Sequence, residues 1–112
     1  MNPLNNENGM LYRNYSKEAW IIEFINSPIL RRLTAGVIWG VYKEGKVIDT
    51  FMCMEDGTFN SIDDDEFDFE GIVDDDSIIK AVKKSEIDNE DIEKWKNQIS
   101  DYEIDKIVKQ FE

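Results

Sequence analysis

The sequence predicts an α+β fold: N-terminal helices, a three-stranded antiparallel meander, and C-terminal helices packed on the sheet. Two observations carry this expectation. The run Val37-Ile38-Trp39-Gly40-Val41-Tyr42 is β-branched and aromatic, and the turn strings Lys43-Glu44-Gly45-Lys46 and Glu55-Asp56-Gly57 follow it. On either side, the apolar residues recur at helical spacing instead. Helices, strands and helices again, in 112 residues with no repeat and no Gly/Ser linker, read as one domain.

Each element has a local reason. Residues 1–10 are Asn-rich and polar, a flexible leader in which Met10 offers an alternative start, so the domain is placed at 11–112. Ser16 is an N-cap for a helix from Lys17 to about Ile25, with Trp20, Ile21, Phe24 and Ile25 as its apolar stripe. Ser27-Pro28 reads as a second cap with proline at the first helical position, and Gly36 as the stop after a short helix from Ile29 to about Thr34. The strands follow at Val37–Tyr42, Val47–Met54 and Thr58–Ile62, with Trp39, Val37 and Val41 expected on the buried face and Ile38 and Gly40 on the other. Asp74-Asp75-Asp76 would cap a helix from Ser77 to Lys84. A helix from Asp88 to Ile99 carries Ile92, Trp95 and Ile99, and Ser100-Asp101-Tyr102-Glu103 is a capping box ahead of Ile104, Ile107, Val108 and Phe111.

A hydrophobic fraction of 41% and an aromatic fraction of 12% belong to a chain that folds, since a disordered acidic chain has few aromatics. Trp20, Trp39 and Trp95 are core candidates; Tyr12 and Tyr15 are weaker ones. The absence of histidine excludes Ser-His and Cys-His catalysis and imidazole zinc sites. One cysteine, Cys53, allows no internal disulfide and reads as a buried structural thiol, which makes an intracellular, cytoplasmic protein the simpler expectation. No apolar run approaches the ~18 residues of a membrane span, and no basic-then-apolar signal opens the chain.

The formal charge of −12 is concentrated. Between Lys46 and Lys80 there is no basic residue and there are twelve acids: Asp49, Glu55, Asp56, Asp63, Asp64, Asp65, Glu66, Asp68, Glu70, Asp74, Asp75 and Asp76. Outside that segment, 47–79, bases and acids balance. Such a field steers a basic partner and repels nucleic acid and anionic membranes. Like charges this close are expected to raise one another's carboxyl pKa values, so that mild acidification leaves the protein stable. Phe67 and Phe69 alternate with the acids and tie the segment to the body or to an interface.

The composition holds no catalytic kit: no carboxylate pair is singled out, and no Gly-rich phosphate loop occurs. The expectation is a small acidic, non-catalytic inhibitor of the immunity type, bacterial or phage in character. It would bind a basic, nucleic-acid-binding protein such as a nuclease by mimicking nucleic-acid charge. The expected binding residues are Asp63, Asp64, Asp65, Glu66, Phe67, Asp68, Phe69, Glu70, Asp74, Asp75 and Asp76. In an extended chain Asp64, Glu66, Asp68 and Glu70 would stand in a row about 7 Å apart, with a partly exposed Phe67 or Phe69 slowing dissociation. No cofactor and no resident metal is expected. Two alternatives use the same residues. One is a calcium- or metal-responsive module, for which Glu66, Asp68, Glu70 and Gly71 fit the start of an EF-hand register that fails at Ser77. The other is an interaction domain whose acidity serves solubility.

The string Val37–Gly45, after a helix ending in Phe24-Ile25, also resembles the V-W-G-L-Y…G core of a family of small bacterial proteins of unknown function. That resemblance covers less than a tenth of the chain and implies no activity.

Overall fold

The computed structural model describes residues 13–54 and 56–111; the leader 1–10 with Met10, and Tyr12, lie outside the described residues. Ser16 opens the first helix as its hydroxyl accepts from the Ala19 N–H at 3.1 Å, and α1 spans Lys17–Trp20. The helix then widens into a π-turn, Ile21–Ile25, instead of continuing in α geometry. Ser27 caps α2 (Pro28–Leu33), accepting from the Leu30 N–H at 3.2 Å. The Arg31 guanidinium donates back to the Phe24 and Ile25 carbonyls, supplying donors where the π-turn has run out of its own. Gly36 ends the pair with φ +94°, and a Cβ there would collide with the Glu103 carbonyl, so glycine is required twice over.

The β-branched run forms β1 (Ile38–Lys43), and the turn at Glu44-Gly45 returns it as β2 (Lys46–Cys53). The register runs from Ile38 opposite Met52 to Lys43 opposite Lys46, with a bulge that leaves Ile48 without a partner between Val47 and Asp49. The third strand, β3, is shorter than expected: only Phe59–Asn60 pairs, with Cys53 and Met52.

The three-stranded meander needs a correction. The sheet has four antiparallel strands in the order β3-β2-β1-β4, and β4 is Ile78–Ala81, inside the span expected as a helix at 77–84. Burial there alternates, with Ser77, Ile79 and Ala81 inward, a period of two that the β-branched Ile78-Ile79 pair suits. The aspartate triplet caps no helix. It belongs to a turn in which the Asp74 N–H donates to Ser77 Oγ at 3.0 Å and the Ser77 N–H to the Asp74 carbonyl at 3.1 Å. Tyr15 closes the outer edge of β4, exchanging backbone hydrogen bonds with Ile79 at 3.0 and 2.8 Å.

A one-turn helix, α3 (Phe69–Ile72), precedes β4, and after a 3₁₀ turn at Lys84–Glu86 come α4 (Asn89–Lys96), shorter at both ends than expected, and α5 (Asp101–Gln110). The capping box of α5 is present: the Ser100 N–H and hydroxyl donate to Glu103 Oε1 at 3.3 and 2.9 Å.

Both faces of the sheet are covered, so the expected division of β1 into an inner and an outer face becomes a division between two cores. Val37, Trp39 and Val41 face a layer of α1, the π-turn and the segment at 67–73; Ile38 and Tyr42 face Ile92, Trp95 and Ile107 of α4 and α5. The first core is aromatic, with Trp20 at its centre against Phe24, Trp39, Phe51, Phe59 and Phe69, ring centroids 5.2–5.9 Å away. Contacts of this kind are worth about 0.5–1.5 kcal/mol per pair beyond area burial. All three tryptophans are fully buried, and so is Tyr15, a stronger core residue than its sequence context suggested. Ile107 covers the sheet as expected, whereas Val108 is 45% exposed.

Candidate functional site

The acidic segment is pinned to the first core by its rings. After β3 the chain turns through Ile62–Asp65: the Asp64 N–H donates to the Ser61 carbonyl at 3.1 Å, and the Ser61 N–H to the Asp65 carbonyl at 2.8 Å. Asp64 takes φ +62°, which an aspartate tolerates better than most side chains. The Ser61 hydroxyl donates to the Asp65 carboxylate, and the chain returns along β3 as Glu66 bridges Asn60. From there the rings go in and the carboxylates out. Phe67 stacks on Phe51 at 4.8 Å and Phe69 on Phe59 at 4.9 Å, while Glu66, Asp68 and Glu70 are exposed.

Two expectations change here. Phe67 and Phe69 are 4% and 5% exposed, so neither ring is available to anchor a partner on the folded protein. Their burial is what fixes the acids in place. The row Asp64, Glu66, Asp68 and Glu70 is also broken at both ends, by the left-handed turn at Asp64 and by the short helix α3 (Phe69–Ile72). Asp68 caps that helix, accepting from the Gly71 N–H at 3.1 Å.

The carboxylates divide into engaged and outward groups. Asp63 lies 3.7 Å from Lys94, Glu70 2.9 Å from Lys17, and Asp74 pairs with Lys43. These lysines come from three different elements, which is why sequence spacing gave no hint of them. Asp64, Glu66, Asp75 and Asp76 are exposed and make no ion pair among the described residues. Three of them fall in two patches, and Asp76 lies apart, lining a third depression with Tyr42, Glu44 and Lys80. Asp64, Asp65 and Glu66 line a shallow depression with Gly57–Asn60, and Asp75 and Glu70 line another beside Ile21 and Ile22 of the π-turn.

The expected rise of carboxyl pKa values is contradicted at Asp74: the hydrogen bond from Lys43, then its charge, holds that carboxyl below its ordinary value. Asp56 is lowered as well, by the hydroxyl and N–H of Thr58. Cys53, buried in the first core, is the structural thiol expected; burial pushes its pKa up to about 12. Among the described residues no three carboxylate or thiolate groups converge as a metal site. The Glu66-Asp68-Glu70 register is dispersed, with Asp68 accepting from the Gly71 N–H and Glu70 turned to Lys17. Among the described residues no helix is long and apolar enough to cross a membrane.

No curated protein and no solved structure matches this chain. Residues 5–112 match the family described as a domain of unknown function (DUF4132), and the chain belongs to that family.

Proposed function

We propose that this is a non-catalytic binding protein of the inhibitor or immunity type, whose acidic segment docks a basic, nucleic-acid-binding protein such as a nuclease. One observation carries the reading: Phe67 and Phe69 lie in the core while Glu66, Asp68 and Glu70, which alternate with them, stand outside it. A solubility tail needs no such fixing, whereas a fixed array of charge lowers the ordering cost of binding. Asp64, Glu66, Asp75 and Asp76 are the contact groups proposed, with Asp63, Asp65, Asp68, Glu70 and Asp74 shaping the field around them. With the two rings inside the core, recognition rests on charge, which acts mainly on the rate of encounter and on its salt dependence. A partner that normally holds nucleic acid presents the cationic groups this surface suits.

The test is capture from lysate at low and high salt by the wild-type chain and by a variant carrying Asp64→Asn, Glu66→Gln, Asp75→Asn and Asp76→Asn. A basic protein identified by mass spectrometry, lost at high salt, absent from the variant and displaced by duplex DNA is the expected result. Equal capture by the variant overturns the reading.

A further inference from the structure

Strand β2 outruns its outer neighbour. It is eight residues long, and β3 pairs with only Met52 and Cys53, so Lys46–Phe51 have no strand on that side among the described residues. An open edge of this length presents main-chain donors and acceptors to any extended chain. Two local features mark it. Ile48, the bulged residue, is 49% exposed. The Thr50 N–H, meanwhile, is held at 2.8 Å by the carboxylate of its own neighbour Asp49. That bond is a side-chain substitute for a strand, and an incoming carbonyl can replace it. Alongside runs a groove that includes Ile62 and Ile87, with the carboxylates of Asp49, Asp63, Glu86 and Asp91 and the single ammonium of Lys94.

We propose that the β2 edge is a β-augmentation site for an extended segment of a partner protein in which apolar residues alternate with lysine or arginine. The unpaired backbone asks for an extended chain, and a period of two sends alternate side chains toward the groove. The excess of carboxylates selects cations among them. A second copy of this chain is disfavoured, because pairing edge to edge brings two carboxylate rims together. The inference goes beyond the acidic-segment reading, since it rests on main-chain groups of 46–51 and not on Asp64, Glu66, Asp75 or Asp76.

The probe is a capped synthetic hexapeptide of alternating lysine and valine, compared with one of equal charge in which a central valine is proline. Both are titrated into the full chain with backbone amide NMR shifts as the readout. The expected result is that shifts centre on Lys46–Phe51 and that the proline peptide binds about tenfold more weakly, the scale of one lost hydrogen bond. Thr50→Pro removes the outward donor, which takes no part in the β1 ladder, and is expected to weaken the first peptide by about the same factor. Ile48→Lys, at an exposed position, sets a like charge against the peptide and stands in if the proline variant does not fold. The Asp64→Asn, Glu66→Gln double variant is expected to bind the peptide as wild type does. Equal binding of the two peptides, shifts confined to 63–76, or no binding overturns the edge site, and the second of these results would leave the acidic-segment reading intact.

Discussion

The side-chain amide of Gln110 exchanges two hydrogen bonds with the backbone of Ile38, 72 residues earlier: its Oε1 accepts from the Ile38 N–H and its Nε2 donates to the Ile38 carbonyl, each at 3.0 Å. The same Nε2 donates to the Val82 carbonyl at 3.0 Å. Gln110 is 6% exposed, so these groups have been taken out of water and need one another. The last turn of α5 thus adds hydrogen bonds at the end of the β1–β4 ladder, where the Val82 N–H also donates to the Ile38 carbonyl at 3.2 Å, and it joins the C-terminal helix to the sheet through polar as well as apolar contact.

Gln110→Ala is accordingly expected to cost about 1–3 kcal/mol, because it strands the buried Ile38 N–H and takes the Gln110 donor from the Val82 carbonyl, while the Ile38 carbonyl keeps the Val82 N–H. Urea unfolding should show a lower midpoint with an unchanged slope. Gln110→Glu should be no better, since a carboxylate cannot donate to the Ile38 and Val82 carbonyls.

Phe67→Ala is expected to destabilise by about 3–5 kcal/mol, the range for emptying a buried aromatic site. The Asp64→Asn, Glu66→Gln double variant should melt within about 0.5 kcal/mol of wild type, as exposed substitutions do. A thermal melt of each decides it. If Phe67→Ala were neutral, the acidic segment would not be held by its rings.

The pH dependence follows from Asp74 and Asp56, whose folded pKa values lie below the ordinary ones through the Lys43 and Thr58 hydrogen bonds. Groups lowered on folding stabilise the native state above the unfolded pKa, and that contribution is lost as pH falls through the folded value. Melting temperature should therefore hold from pH 7 to about 5 and fall below about 4, where free carboxylates titrate. Partial burial pushes Glu86 upward, but the Lys83 N–H and the Tyr42 hydroxyl outweigh it, so this carboxyl acts in the same direction.

Cys53 should resist thiol reagents. With its pKa raised to about 12 by burial, essentially no thiolate forms at pH 8, and reaction requires unfolding. Labelling with an aromatic disulfide should be slow in buffer and immediate in denaturant. Above pH 9 the sign of the linkage reverses: an unfolded thiol ionises while the folded one does not, so the chain loses stability on the alkaline side as well.

Local chemistry was readable in the sequence wherever one side chain decides the outcome. Ser16, Ser27 and the Ser100–Glu103 box each cap a helix as their spacing implied, and Gly36 adopts the positive φ its position called for. An acidic triplet ahead of Ser-Ile-Ile-Lys-Ala is a fair helix start in isolation, but the open edge of β1 pairs with Ile78–Ala81 and makes the segment a strand. Of the candidate site, the charge was legible and its arrangement was not. Alternation in Glu66-Phe67-Asp68-Phe69 is compatible with rings in or rings out, and only Phe51 and Phe59, brought from β2 and β3, settle the direction. Lys17, Lys43 and Lys94 could not be assigned to their acids for the same reason.

The placement of the three indoles gives the molecule a set of internal optical reporters. Trp20 and Trp39 belong to the aromatic core and Trp95 to the core beneath α4 and α5, and the ring N–H of each is buried without a hydrogen-bond partner among the described residues. Emission from such dry sites should lie toward the blue and shift red on exposure. With Trp95 changed to Phe, fluorescence would follow one side of the sheet; with Trp20 and Trp39 changed, it would follow the other. Coincident transitions would mean that the sheet couples its two sides into one cooperative unit, and separated ones that each side melts on its own.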